Sequence, residues 1–297
     1  MKIGVIGSSG FIGRHFVREV LSIGYEVIGW DIVEPFERYE EGKFAFYHWK
    51  NDEFESNELF QECDAIIILA AKRPHGKFSM EDYFENIDIV MKTLDCCIKY
   101  GVKNIITISS RSVYSDGNIP WREENSNVPL NLYGAAKEAA DELVLLYNRE
   151  YELNIKSLRL AQVIGLGEVN GYLLNTFISN AYRKQALCVY GTGNGRRQYI
   201  YIKDVIDAIL KAINSENAGV YNIGMKKNTS CIELAEIVNL VFENDSGICY
   251  ELDKPEDLKE YLMDVTKAEE ELGWRAKYDV LAAMKDIKKI LEKESNG

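Results

Sequence analysis

Histidine is scarce in this sequence. There are three in 297 residues, His15, His48 and His75, far apart and without the short spacing that metal ligands need. That argues against a metal centre. Cysteine is thinly spread as well: Cys63, Cys96, Cys97, Cys188, Cys231 and Cys249 include no C-x-x-C pair, which reads as reduced, buried thiols in a cytoplasmic protein. No apolar run approaches the roughly 18 residues of a membrane span, and the chain enters a strand at once, without a signal-peptide pattern. Positive charge is in deficit too. Lys and Arg number 35 against 47 Asp and Glu, a net charge of −12 with no basic stripe to meet a phosphate backbone. Neither nucleic acid nor a membrane is an expected partner.

What is present is an ordinary globular mixture, 46% hydrophobic and 28% charged, in a chain long enough for a well-packed core. Strand-like and helix-like stretches alternate through the first half. KIGVIG, YEVIGWD, FAFYHW, CDAIIILAA and VKNIITISS read as strands. FIGRHFVREVLSIG, MEDYFENIDIVMKTLDCCIKYG and LYGAAKEAADELVLLYNREY read as helices. Apolar strands separated by helices predict a parallel sheet covered on both faces, a doubly wound α/β fold. After about residue 165 the rhythm loosens. IKSLRLAQVIG reads as one strand, YGTGNGRRQYIYI as hairpin-like, YIKDVIDAILKAI and GVYNIG as a return to the sheet, and the terminal KKILEKESNG as a frayed end.

Directly after the first strand, Gly7, Gly10 and Gly13 form G-x-x-G-x-x-G. Bare backbone there can turn tightly into a helix whose N–H groups approach a pyrophosphate, although any glycine-rich strand-to-helix turn can look the same. Asp31 ends the second strand about 20 residues on, where a carboxylate accepts hydrogen bonds from ribose hydroxyls and repels a 2′-phosphate; this predicts NAD over NADP. Ala70 and Ala71, ending CDAIIILAA, are small enough for a cofactor to lie against the sheet edge, or for simple packing.

Tyr133 and Lys137, in YGAAK, share a helix face at i and i+4. An ammonium beside a phenol favours the phenolate and makes a tyrosine usable as an acid and base near neutral pH. The spacing alone says little, because Tyr39/Lys43, Tyr199/Lys203 and Tyr250/Lys254 repeat it. Placement separates them: the strand before Tyr133 ends in Ser109 and Ser110, at the carboxyl edge where such sheets bind ligands.

Taken in order, these elements resemble the extended short-chain dehydrogenase/reductase family, specifically its NAD-dependent sugar-nucleotide epimerases and dehydratases. The resemblance covers nearly the whole chain. It rests on the glycine loop, Asp31, CDAIIILAA at 63–71, Asn86, SSRSVYS at 109–115, IPWREE at 119–124, YGAAK, LRLAQVIG at 158–165, GNGRRQYIYIKDV at 193–205, YNIG at 221–224 and DVTKAEEELGW at 264–274.

The resemblance implies a Rossmann-type NAD-binding domain, residues 1–164 plus about 198–224, and a smaller, discontinuous C-terminal substrate-binding domain, 165–197 and 225–297. It implies catalytic roles for Ser110, Tyr133 and Lys137. Cofactor contacts would fall to Gly7, Gly10, Phe11, Ile12, Gly13, Asp31, Leu69, Ala70 and Ala71, with Tyr133 and Lys137. Ser110, Arg111 and Arg197 would meet a nucleotide-sugar substrate, Arg197 at its pyrophosphate. A homodimer formed through the Tyr-bearing helix and the helix before it is also implied.

Departures from the family pattern sharpen the expectation. Dehydratases carry an Asp-Glu pair after the catalytic Ser or Thr, and Arg111 and Ser112 stand there instead. Gln162 and Ile164 replace an asparagine and a tyrosine, and near LDKPEDLKEY only Lys254 and Lys259 are found where epimerases commonly have a second pyrophosphate-binding arginine. The leading expectation is a C4 epimerase of a nucleotide hexose working through a 4-keto intermediate. A 4-keto-deoxysugar reductase and a non-catalytic dinucleotide-binding regulator are the alternatives.

Overall fold

A computed structural model describes residues 1–49, 58–74, 76–115, 117, 119–125, 128–168 and 173–295. His75, one of the three histidines, lies outside the described residues. The chain opens β1 (Lys2–Ile6), α1 (Phe11–Ser22), β2 (Glu26–Asp31), β3 (Phe44–His48), β4 (Ala65–Ile68), α2 (Met80–Tyr100), β5 (Asn104–Ser110), α3 (Leu132–Tyr151) and β6 (Asn154–Leu160). It continues β7 (Gln162–Ile164), α4 (Leu173–Tyr182), β8 (Leu187–Tyr190), β9 (Arg196–Tyr201), α5 (Ile202–Ile213), β10 (Gly219–Ile223), β11 (Asn228–Ser230), α6 (Cys231–Phe242), β12 (Ile248–Glu251), α7 (Thr266–Glu271) and α8 (Val280–Ser295).

Among the described residues, seven strands form one parallel sheet in the order β10-β6-β5-β4-β1-β2-β3. Its strands read as apolar runs because both faces are covered. Ile3, Val5, Ala65, Ile67 and Ile106 face one way, into a core shared with Phe16, Val17 and Val20 of α1 and with α5. Ile6, Ile28, Trp30, Ile66, Ile68 and Ile105 face the other way, against Val90, Leu94 and Cys97 of α2 and Val144 of α3. Burying each such side chain contributes roughly 1.5–3 kcal/mol, so the two-sided pattern holds the strands in register.

Strand order reverses between β1 and β4, since β2 and β3 continue to one side while β5, β6 and β10 continue to the other. That switch point opens a crevice at the carboxyl ends of β1 and β4, the place where ligands bind in such sheets. The helices flanking it start and stop cleanly. Ser79 and Asp82 make a reciprocal capping box at the start of α2, and Gly101 ends it in the left-handed region.

Two readings of the second half are corrected. IKSLRLAQVIG is two strands: β6 lies in the large sheet, whereas β7 pairs with β9 in a three-stranded sheet completed by β11. The glycine-rich stretch before β9 is no hairpin either, because β8 pairs in parallel with β12, some sixty residues on. KKILEKES belongs to α8, where Ile287 is fully buried just ahead of it and Lys288 Nζ reaches Glu243 at 2.8 Å.

The cysteine expectation is corrected as well. Cys63, Cys96 and Cys97 are buried thiols outside any disulfide, and Cys231 is a half-buried one, but Cys188 and Cys249 form a disulfide. They face each other in the β8–β12 register, 4.5 Å apart at Cα. Sequence spacing could not show this, because only the parallel pairing brings the two together. No helix among the described residues is long and apolar enough to cross a membrane.

Candidate functional site

The glycine loop leaves β1 at Gly7, whose N–H donates to the Trp30 carbonyl at 2.7 Å and whose φ is +88°. A side chain there would be strained, and its Cβ would press on the Ala70 nitrogen at 2.6 Å. Gly10 is different. A Cβ on it would meet only the Gly7 carbonyl, at 3.3 Å, and Gly10 otherwise opens into a cavity. It also caps α1 without any side-chain hydrogen bond, so the first N–H groups of α1 are left for an anion. Ser9 Oγ, buried in the same loop, has no hydrogen-bond partner among the described residues. A diphosphate fits this cradle.

The cavity, about 410 Å³, is lined by Gly7, Gly10, Phe11, Ile12 and Gly13 from the loop and α1, by Asp31 at the end of β2, and by Leu69, Ala70 and Ala71 after β4. All nine sequence-predicted cofactor residues outside α3 therefore meet in one place. Asp31 is held by two backbone donors, Ser9 N at 2.9 Å to Oδ2 and Val33 N at 3.1 Å to Oδ1. Carboxylate oxygens accept more than one bond each, so capacity remains for ribose hydroxyls. Asn86 of α2 clamps the far wall, accepting from Lys72 N at 2.6 Å and donating to Lys72 O at 3.0 Å.

A second cavity, about 220 Å³, adjoins the first and shares Phe11, Ile12, Leu69, Ala71 and Arg73 with it. Ser110, Arg111, Tyr133 and Lys137 all line it. Ser110 ends β5 and caps a short 3₁₀ turn, Arg111–Val113, its Oγ accepting from Ser112 N at 3.1 Å. Gly134 lets α3 begin hard against the Ser112 carbonyl, and the Asn131 side chain caps the helix by accepting from Gly134 N at 2.9 Å. Tyr133 is half-buried, with Phe78 edge-on to its ring at 5.7 Å. Lys137 is buried and donates to the Ile108 carbonyl at 2.8 Å. Burial pushes the ordinary lysine value down to about 8, with Asp141 opposing that fall and Arg73 adding to it.

Arg197 is not brought into either lining. Its guanidinium pairs with Asp257 at 2.7 Å, donates to Lys259 O at 3.0 Å and lies 4.4 Å from the centre of the Tyr261 ring. Arg111 reaches the same ring, also at 4.4 Å. Tyr261 thus links the two predicted substrate arginines, and nothing in its sequence context signals that. Sequence reading also missed Arg73 and the buried Glu168, which pair at 3.3 Å on the wall of the second cavity. Lys254 sits over the Tyr190 ring at 5.9 Å. Among the described residues, no three His, Cys, Asp or Glu side chains cluster so that they could hold a metal ion.

A glycine loop at the switch point of a parallel sheet, with a Tyr–Lys helix on the adjoining cavity, defines the dinucleotide-binding class of α/β proteins. Within that class, the chain belongs to the NAD dependent epimerase/dehydratase family, whose model matches residues 3–224. It is 28% identical to the putative UDP-glucose 4-epimerase of Methanocaldococcus jannaschii, over 95% of this chain and 96% of that one. It is 25% identical to UDP-glucuronic acid decarboxylase 2 of Arabidopsis thaliana, over 93% of this chain but 65% of that one. Among solved structures, UDP-glucose 4-epimerase of Thermotoga maritima, determined with UDP-glucose, superposes with a TM-score of 0.87 at 27% identity, over 99% of this chain and all of that one.

Proposed function

We propose that the protein is an NAD-dependent C4 epimerase of a nucleotide hexose, with UDP-hexoses as the substrate class. The observation that carries this is the shared wall between the two cavities. It sets Ser110, Tyr133 and Lys137 directly beside the space enclosed by the glycine loop and Asp31. The 4-epimerase relatives, similar over almost their full length, support the same reading.

When bound, NAD would supply the hydride acceptor and donor for C4. The glycine loop and the start of α1 would hold its diphosphate, and Asp31 its adenosine ribose. Tyr133 would take the proton of the C4 hydroxyl and return it to the 4-keto sugar after that sugar has turned over in the pocket. Lys137, on the same helix face, would favour the phenolate, and the Ser110 hydroxyl would hydrogen-bond the C4 oxygen. Arg111 would face the sugar; Arg197, which lines neither cavity, would reach a pyrophosphate only by leaving Asp257. Water loss of the dehydratase kind is disfavoured, because Arg111 and Ser112 offer no acid–base pair. The comparisons favour neither the reductase nor the non-catalytic regulator.

Residues 165–197 and 225–297 form the substrate-binding part in this reading. In the same reading the protein is a homodimer through α2 and α3, whose outer faces expose Phe84, Met91, Leu145 and Leu146. The test is to purify the protein without added cofactor, identify any nucleotide released on unfolding, and incubate it with UDP-glucose alone. Bound NAD and formation of UDP-galactose with no added reductant are expected. Turnover that consumes added NADPH, or that releases carbon dioxide from UDP-glucuronate without epimerising UDP-glucose, would overturn it.

A further inference from the structure

Below the second cavity lies a buried polar cluster that the proposed reaction does not use. Its centre is Asp141, one helical turn beyond Lys137 on α3, so that Tyr133, Lys137 and Asp141 repeat at i, i+4 and i+8 on one stripe. Asp141 is 1% exposed and lines neither cavity of the site. Three donors from two neighbouring strands fix its carboxylate. Oδ2 accepts Ser109 Oγ at 3.0 Å and Arg159 Nε at 2.7 Å, and Oδ1 accepts Ser157 Oγ at 2.5 Å.

We infer that Asp141 is a positioning residue of the proposed epimerase. It pins the end of β5 next to Ser110 and keeps a negative charge behind Lys137. This rests on the epimerase reading for its catalytic consequence, though not for its geometry.

Two roles meet in one carboxylate. Ser109 precedes Ser110 in the strand, so the Ser109–Asp141 bond fixes how far the end of β5 stands from α3, which carries Tyr133. The second role is electrostatic. Lys137 Nζ lies against the Ile108 carbonyl of β5; Asp141 on its own helix favours its charge, whereas burial and Arg73, from the segment after β4, oppose it. Around Asp141 itself the charged groups are Arg159 of β6 and Glu138 of α3, which accepts from Arg159 Nη2 at 3.4 Å. Arg159 also donates to Tyr114 Oη at 2.9 Å and to the Glu123 carbonyl at 3.4 Å. If the Asp141 charge is removed, the one pull that favours the Lys137 charge is lost, while burial and Arg73 still oppose it. Lys137 then releases its proton at lower pH, and the phenolate of Tyr133 loses support.

A purely architectural ion pair would hold the strands together without touching that proton, and this separates the two accounts. The experiment compares wild type, Asp141→Asn and Asp141→Glu by the pH dependence of kcat and KM with UDP-glucose. In Asp141→Asn the alkaline limb should move down by about one pH unit, with kcat reduced and KM little changed. Asp141→Glu, which keeps the charge, should recover most of it. A folded Asp141→Asn with an unmoved alkaline limb overturns the inference.

Should Asp141→Asn fail to fold, the Ser109→Ala, Ser157→Ala double variant carries the test, because it keeps the charge and the Arg159 pair but frees the anchor. A lower kcat is expected, and an unchanged one overturns the inference. A second readout needs no substrate. The ultraviolet phenolate band of Tyr133, isolated by subtracting a Tyr133→Phe titration in the same background, should appear at higher pH in Asp141→Asn, and no displacement overturns the inference. A wild type that does not epimerise UDP-glucose would sink the proposed function alone, leaving this titration to decide.

Discussion

The Asp31 carboxylate accepts the Ser9 backbone N–H at 2.9 Å, tying the end of β2 to the middle of the glycine loop. One residue therefore does two things. It braces the loop that would cradle a diphosphate, and it presents negative charge where the ribose would lie. Asp31→Ala should weaken NAD binding by about ten-fold or more and reduce the preference for NAD over NADP, since a charge-assisted hydrogen bond is worth roughly 1.5–3 kcal/mol. Calorimetric titration with both cofactors checks this. An unaltered NAD/NADP ratio would count against the role of Asp31.

Tyr133→Phe removes one oxygen and leaves the edge contact with Phe78 in place. The expected outcome is a fall in kcat of about 10²–10⁴, the range for a lost general acid–base group, with KM changed only a few-fold and the melting temperature unchanged. Steady-state kinetics beside a thermal melt distinguish this from loss of fold.

The disulfide makes a countable prediction. Unfolded without reductant, the chain should show four reactive thiols, those of Cys63, Cys96, Cys97 and Cys231; six would mean that Cys188 and Cys249 are reduced. Their separation of 61 residues closes a long loop, so Cys188→Ala should cost about 2–4 kcal/mol in denaturant unfolding of the oxidised protein.

Lys156, on β6, is fully buried, with Nζ donating to Asn104 Oδ1 at 3.1 Å. Burial lowers it to about 8, against a weaker opposing pull from Glu216. The folded state therefore disfavours its charged form, and the unfolded chain binds the extra proton. The penalty is complete below pH 8 and fades as the pH rises from about 8 towards the ordinary lysine value of 10.5. Lys156→Met should thus stabilise the protein at pH 7, on the order of 1 kcal/mol once relaxation and solvent screening are allowed for, and give little at pH 10.5. Chemical denaturation at the two pH values measures the difference.

The parts legible in the sequence were those with local signals. Glycine spacing, apolar runs and the i, i+4 pair depend on neighbours along the chain, so β1, α1, α2, α3 and the first cavity could be read directly. What escaped depends on distant partners. Cys188 and Cys249 meet only because β8 and β12 run parallel, and Tyr261 joins Arg111 to Arg197 only after the chain crosses back. Asp141 carries no local signal, because its partners Ser109, Ser157 and Arg159 lie on two other elements. The hairpin reading of 190–202 failed for a related reason: glycines there serve to receive Glu256, whose carboxylate accepts from Thr192 N and Asn194 N, each at 2.6 Å.

The family match ends at residue 224, yet the molecule does not come apart there. Gln198, on β9, is buried and spends its amide on the far side of that boundary, donating to the carbonyls of Met225 and Met263 and accepting from Met263 N. Trp121 is tied across it in the same way, its N–H donating to the Leu262 carbonyl at 2.8 Å and its carbonyl accepting from Asp264 N at 2.7 Å. A swap of C-terminal quarters between relatives, made to exchange sugar preference, would therefore have to carry its own seam: the 262–264 ladder must match the recipient at Trp121 and Gln198, or the graft strands buried amides whatever pocket it brings.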